Sequence, residues 1–260
     1  MPAQQRRSGA IYANEVTEAN LPLLTGPGFV VSSFPRSGSI WLRMLLYDCA
    51  ALTMGRSLDR IQPADLDWFS PPVSRKQLPG YLERGDFPWR VFKAHLTYEE
   101  MGPAAAGKQF VVLFRDPADA FTSDFRRHEV DVTDRPMFDR TVERKIENWL
   151  AHSESYLTAA EAEPDRFHFV SYEGLHADTV GRLAEVVAFL GVDADPERLP
   201  DVVANRTFDA MVTGYLERRG NRDNLGKGRV GTAAELVPDD LLDLIRERTG
   251  PVYRAMSERP

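Results

Sequence analysis

Cysteine is almost absent from this sequence. Its 260 residues include one, Cys49, so an intrachain disulfide is excluded and a reducing compartment is the natural expectation. No apolar run approaches the roughly 20 residues that span a bilayer. The basic amino terminus, residues 1–10, is followed by no apolar core of a secretory leader. Positive charge is scarce: 32 Lys and Arg against 39 Asp and Glu leave a formal net charge of -7, which opposes nonspecific binding to nucleic acid or to an anionic membrane. Internal repeats and low-complexity tracts are missing too. Among the histidines, His128 lies in a charge-rich stretch, and His152 and His168 have no metal-like partners at useful spacing. These three and His176 read as solvated or structural. The expectation is a soluble, cytoplasmic protein with no membrane, nucleic-acid or metal partner.

What is present is a core and an anion loop. Hydrophobic residues make up 43% of the chain, ample for one large domain. Short β-branched runs near 28–33, 90–94, 109–114 and 167–171 alternate with helical patterns near 40–52, 117–127, 139–162 and 178–190. That alternation predicts a single-domain, P-loop-like α/β/α fold with a central parallel sheet. Residues 235–249 read as a terminal helix, and residues 1–20 as a weakly ordered arm or peripheral helix outside a domain of 21–260.

The stretch Gly28-Phe-Val-Val-Ser-Ser-Phe-Pro-Arg-Ser-Gly-Ser-Ile-Trp41 runs from buried strand through glycine-containing turn into helix. The first amides of a helix have no internal partner and carry the positive end of its dipole, so this order builds a phosphate site. Gly38 lets the backbone approach, Ser39 offers a hydroxyl and Arg36 adds a full charge. The pattern G-x-x-x-x-G-K-[ST] is missing, and with it the hydroxyl after lysine that organises Mg²⁺ around a γ-phosphate. A second unit, Gln109 to Phe125, repeats strand, charged turn and helix, with Arg115 at the strand end and Ser123 eight residues on. That spacing is about two helical turns, so the pair could meet around one oxyanion. A third segment, Gly226-Lys-Gly-Arg-Val-Gly231, alternates glycine with cations and suits capture of a second phosphate.

In this order the three segments resemble the sulfotransferases that use 3′-phosphoadenosine-5′-phosphosulfate (PAPS), over about residues 28–240. Val91-Phe-Lys-Ala-His-Leu96 is similar to the family's strand ending on a catalytic histidine, and Tyr172-Glu-Gly-Leu175 to its Tyr-Glu-x-Leu signature. The resemblance implies that His95 is the general base and that Lys93 is its companion cation. Arg36 stands where the family usually has a lysine that stabilises the departing 5′-phosphate. Ser37, Gly38, Ser39 and Ile40 would wrap the 5′-phosphosulfate. Arg115, Ser123, Lys227, Gly228 and Arg229 would hold the 3′-phosphate. Trp41, Tyr172, Thr207 and Phe208 would border the adenine. For Trp41, core packing competes evenly with that contact.

The implied reaction moves a sulfuryl group from PAPS to a small-molecule hydroxyl without a metal, giving a sulfate ester and adenosine 3′,5′-bisphosphate. An amine acceptor stays open, as do a P-loop small-molecule kinase and a non-catalytic nucleotide-binding protein. Arginine at 36 is always protonated and acts only electrostatically. Ile40 and Gly226 replace common donors, and Thr232-Ala233 a common Asp-Trp pair, which bears on binding strength. Arg126 and Arg127 read as a solvated helix end. Residues 61–90, with Trp68, Phe69, Tyr81, Phe87 and Trp89, and residues 128–140 are the candidates for acceptor recognition. Dimers are common in the family, so a homodimer is one expectation, although no self-association face is legible.

Overall fold

The computed structural model describes residues 14–58, 66–74, 78–82, 87–210 and 228–259. Its centre is a sheet of four strands, β1 (Gly28–Ser33), β2 (Val91–Ala94), β3 (Lys108–Phe114) and β4 (Phe167–Ser171). All three pairings are parallel and the order is β2-β1-β3-β4. Parallel neighbours need long crossovers, and helices fill them. The helices of the described residues are α1 (Glu15–Asn20), which precedes β1; α2 (Ser39–Thr53), α3 (Leu66–Phe69), α4 (Pro79–Leu82), α5 (Tyr98–Met101), α6 (Pro117–Arg127) and α7 (Arg135–Ala162), which lie in the crossovers; and α8 (Tyr172–Ala177), α9 (Thr179–Leu190), α10 (Leu199–Asn205) and α11 (Asp239–Ser257), which follow β4.

Side chains alternate across a strand, so each strand feeds two cores. Val30, Phe110 and Val112 face a core closed by α6, α7 and α11, with Phe121, Trp149 and Ile245 fully or almost fully buried. Val31, Val111 and Leu113 face the other, closed by α2, α9 and α10. The result is the expected three-layer α/β/α domain. Among the described residues, no helix is long and apolar enough to cross a membrane.

Capping explains where the helices begin. Asp116 accepts from the Asp119 amide (3.1 Å) ahead of Pro117, and Asp178 accepts from the Gly181 amide (2.9 Å). Gly191, at φ +61°, stops α9 in the left-handed region that glycine adopts without strain. Two boundaries differ from expectation. α7 begins at Arg135 because Asp134 caps it through the Met137 amide (3.2 Å) with Pro136 in its first turn, so only residues 128–134 are irregular. α11 begins at Asp239, after Pro238, and continues through Pro251 to Ser257. A proline inside a helix forfeits one backbone bond. Here buried Met256 and half-buried Val252 and Tyr253 anchor the segment beyond it.

The exposed side of β2 is covered. Lys93 donates its amide to the Pro71 carbonyl (3.0 Å), and its carbonyl accepts from the Val73 amide (2.9 Å). Asn20 holds that segment from α1, donating to the Val73 carbonyl (2.7 Å) and accepting from the Leu78 amide (3.0 Å).

One histidine is folded into the first core. His152 on α7 is 1% exposed, its Nε2 lies 3.4 Å from Ser32 Oγ, and Phe34 and Tyr156 pack on its ring. Burial pushes its pKa from 6.5 down to about 3, so the folded chain keeps it neutral while the unfolded chain gains a proton below pH 6.5. Its contribution is fully present above pH 6.5 and is lost as pH falls from there toward 3, by on the order of 1 kcal/mol per pH unit. Urea midpoints from pH 7 to pH 4.5 should therefore fall more steeply for the natural protein than for His152→Asn. Parallel curves would remove this assignment.

Candidate active site

Strand order decides where the motifs meet. The chain leaves β1 toward β2 and leaves β3 toward β4, so a crevice opens between the carboxy ends of β1 and β3, the position at which open parallel sheets bind ligands. Phe34 to Gly38 follows β1, and Arg115 and Asp116 follow β3.

The first turn is held in an unusual backbone conformation. Gly38, the N-cap of α2, has φ +93° and brings no side chain to the first amides of the helix. Arg36 also lies in the left-handed region, at φ +71°, which costs on the order of 1 kcal/mol for a residue with a Cβ. The Arg36 carbonyl accepts from Arg115 Nη1 (3.4 Å), and its own Nε donates to Ser123 Oγ (3.1 Å). Burial, then the charges of Arg127 and Arg115, hold the Arg36 guanidinium below its usual pKa, with Asp124 opposing. Ser37 Oγ is buried with no hydrogen-bond partner among the described residues, and Ser39 is 7% exposed. Ile40 and Trp41 are half-buried against the α2-side core.

Arg115 and Ser123 therefore meet at Arg36 rather than around each other. Arg115, 7% exposed, lies over the Tyr172 ring with its guanidinium carbon 4.5 Å from the centroid. Its Nη2 donates to the Arg229 carbonyl (2.8 Å) and to Asp119 Oδ2 (3.4 Å), and its Nε is buried without a hydrogen-bond partner among the described residues. The carboxy-terminal loop is thus drawn onto the end of β3. Gly228, at φ +60°, lies against Phe208, whose ring would stand 2.1 Å from any added Cβ. Lys227 and Gly226 lie outside the described residues.

His95 directly follows β2, beside the end of β1. Its Nδ1 lies 2.6 Å from the Ser33 carbonyl oxygen. A carbonyl only accepts, so Nδ1 carries the proton and Nε2 the lone pair. Lys93, 8% exposed, shares the strand face of Val91, toward the α2-side core.

On the far side of α2, Trp41 Nε1 donates to the Arg206 carbonyl (3.0 Å), and its ring meets Tyr172 edge-on at 5.9 Å. Trp41 thus packs against the α2-side core and Tyr172 together. Arg206 forks onto Asp48, with bonds of 2.7 and 2.6 Å, and Asn205 adds a third of 3.0 Å. Burial raises the Asp48 pKa and the Arg206 bonds oppose it. This pair fixes the end of α10, beyond which Thr207 is exposed and Phe208 half-buried.

Comparison with known proteins bears on the family and the fold. The family profile described as "Sulfotransferase domain" matches residues 27–232. The chain belongs to the sulfotransferase family. It is 26% identical to Sulfotransferase 6B1 of Pan troglodytes over 70% of this chain and 61% of that protein. It is 24% identical to Cytosolic sulfotransferase 17 of Arabidopsis thaliana over 63% and 51%. It therefore spans about half to three fifths of the length of these relatives. Among solved structures it is similar to mouse sulfotransferase SULT7A1 complexed with PAP, at a TM-score of 0.68, 19% identity and 98% and 99% coverage of the two chains. Retinol dehydratase in a complex with retinol and PAP matches at 0.68, with 17% identity and 90% and 83% coverage.

Several residues of this sulfotransferase site escaped the sequence reading. Asp119 sits four residues after Arg115, a one-turn spacing that pairs charges on a helix. Glu173, inside the Tyr-Glu-x-Leu signature, accepts from the Asp116 amide (3.1 Å) and from Tyr253 (3.1 Å), so it braces the β3 turn. Arg126 is no solvated helix end: it pairs with Glu235 at 2.9 Å. The 128–134 loop is tethered, since Val130 and Val132 pack on the core. Of the aromatic segment, Phe69, Phe87 and Trp89 cluster with Tyr47, while Trp68 and Tyr81 pair at 4.6 Å.

Gly38 has a sharp requirement. A Cβ there would stand 2.5 Å from the Tyr172 ring, at a φ that L side chains rarely adopt. Gly38→Ala should cost about 1–3 kcal/mol by urea denaturation, and trimming the ring in Gly38→Ala with Tyr172→Leu should recover part of the loss relative to additivity.

Proposed function

We propose that this chain transfers a sulfuryl group from PAPS to a hydroxyl of a small-molecule acceptor, leaving a sulfate ester and adenosine 3′,5′-bisphosphate. The convergence of three cationic segments carries the reading. Arg115, at the end of β3, bonds to the Arg36 carbonyl of the first loop (3.4 Å) and to the Arg229 carbonyl of the last (2.8 Å). Two buried polar atoms at that junction, Ser37 Oγ and Arg115 Nε, have no hydrogen-bond partner among the described residues. Together with Arg36, whose pKa burial and the charges of Arg127 and Arg115 lower, they suit a ligand with two separate phosphates.

PAPS, when bound, supplies a sulfuryl group activated by its anhydride link to the 5′-phosphate. The Ser37 hydroxyl and the amides of Gly38, Ser39 and Ile40 would hold that phosphate, with Arg36 stabilising its growing charge. Arg115, Ser123, Gly228 and Arg229, with Lys227, would hold the 3′-phosphate. Trp41, Tyr172, Thr207 and Phe208 would border the adenine. His95 Nε2 takes the acceptor proton, its tautomer set by the Ser33 carbonyl at Nδ1. Lys93 is the companion cation near the strand end.

The solved relatives support both halves of the reading. Mouse SULT7A1 was crystallised with PAP, and retinol dehydratase with retinol or androsterone, two alcohols with apolar bodies. The aromatic residues of 66–89 suit an acceptor of that kind. Buried Cys49, a free thiol pushed up to about 12 by burial and Asp48, accords with a cytoplasmic setting.

Calorimetric titration should show binding of adenosine 3′,5′-bisphosphate that weakens sharply with adenosine 5′-monophosphate. Equal or absent binding of both would send the assignment back to a kinase. His95→Asn should retain bisphosphate binding while transfer to a test alcohol falls about 10²- to 10⁴-fold. Full transfer in that variant would rule out histidine as the base.

A further inference from the structure

The loop that closes the crevice from the carboxy-terminal side hangs on one carboxylate. Asp119, on the first turns of α6, is 1% exposed. Its Oδ2 accepts from the Gly231 amide (2.7 Å) and its Oδ1 from the Thr232 amide (2.7 Å), with Thr232 Oγ1 at 3.5 Å. Two successive main-chain N–H groups, with Gly231 at φ +74°, form a small anion nest, and this carboxylate fills it. Oδ2 also receives Arg115 Nη2 (3.4 Å), and that same nitrogen donates to the Arg229 carbonyl (2.8 Å). Arg115, Asp119 and residues 229–232 therefore form a closed ring of bonds. Arg126, two turns along α6, reinforces it through Thr232 (3.4 Å) and Glu235 (2.9 Å).

We propose that Asp119 is a positioning residue for recognition of the nucleotide's 3′-phosphate: its carboxylate clamps the Gly231–Thr232 turn and one edge of Arg115 together, so that the 229–232 turn and the β3 arginine present a single site. The inference rests on the PAPS reading above. Arg115 is held at Nη2 by Asp119 and the Arg229 carbonyl and at Nη1 by the Arg36 carbonyl, while Nε stays buried without a hydrogen-bond partner among the described residues. A guanidinium fixed at its other nitrogens meets an anion with little ordering left to do. The 5′ side differs: the Pro35–Ser39 turn stands on Gly38 and the α2 amides, and Asp119 makes no bond to it among the described residues. Loss of the clamp should hence remove 3′-phosphate recognition selectively.

Asp119→Asn preserves shape but turns an NH₂ group toward one of the donors that the carboxylate now accepts. In titrations of the full chain, the variant should bind adenosine 3′,5′-bisphosphate about 10- to 100-fold more weakly. Adenosine 5′-monophosphate should bind within about threefold of its former affinity, so the preference for the 3′-phosphate collapses. A purely structural role would weaken both nucleotides alike and would overturn the proposal, as would an unchanged preference. A natural protein with no preference between the two nucleotides would instead sink the PAPS reading itself. Should the variant fail to fold, hydrogen exchange on the natural protein decides. The Gly231 and Thr232 amides should gain protection with the bisphosphate and little with the monophosphate, and equal gains would overturn the clamp.

Discussion

Parallel pairing holds β1 between β2 and β3, and the site depends on that register. Val31 aligns with Lys93 on one side and with Val111 on the other, and Ser33 aligns with Leu113. Three strand ends therefore finish at one level. The glycine turn occupies the middle, His95 one flank and Arg115 the other. A slip of one residue in either pairing would reverse the faces of the strand and exchange the side chains fitted to its two cores. The buried faces of β1 and β3 thus position the polar ends.

Concentrating cations at one sheet edge opposes folding, and the molecule offsets this locally. Arg36 carries backbone strain and the repulsion of Arg127 and Arg115. Asp119 and Asp124 are buried nearby, Asp119 bonded to Arg115 and Asp124 paired with Lys145. The carboxylates and main-chain carbonyls orient the cations and, among the described residues, leave the buried Arg115 Nε without a hydrogen bond. A preorganised, partly desolvated cluster of this kind gains more from an anion than a solvated one would. The Asp48–Arg206 pair acts at a distance, fixing the end of α10 and, through the Arg206 carbonyl, the indole of Trp41.

The sequence carried the local parts of this arrangement because their causes are local. A run such as Phe29-Val-Val31 followed by Gly38 and the α2 apolar face encodes strand, turn and helix within one window. Asp178 and Gly191 mark both ends of α9 for the same reason. Asp134 before Arg135-Pro136 carried an equally good start signal for α7, but the charge of residues 128–140 masked it. Pro251 carried a stop signal that the buried residues beyond it override.

The sequence alone determined the fold class, the order of the motifs and the family, since each is a matter of periodicity and of residue types within short windows. Only the tertiary structure decided which motif touches which. Ser123 bonds to Arg36, Arg115 reaches Arg229, and Asp119 binds an amide 113 positions along the chain. Arg126 joins the carboxy-terminal turn, and His152 lies within the core rather than in solvent. No pattern within a helix or strand encodes such pairs. They follow from the packing of whole elements, in which buried polar groups take the partners that the closed core brings within reach.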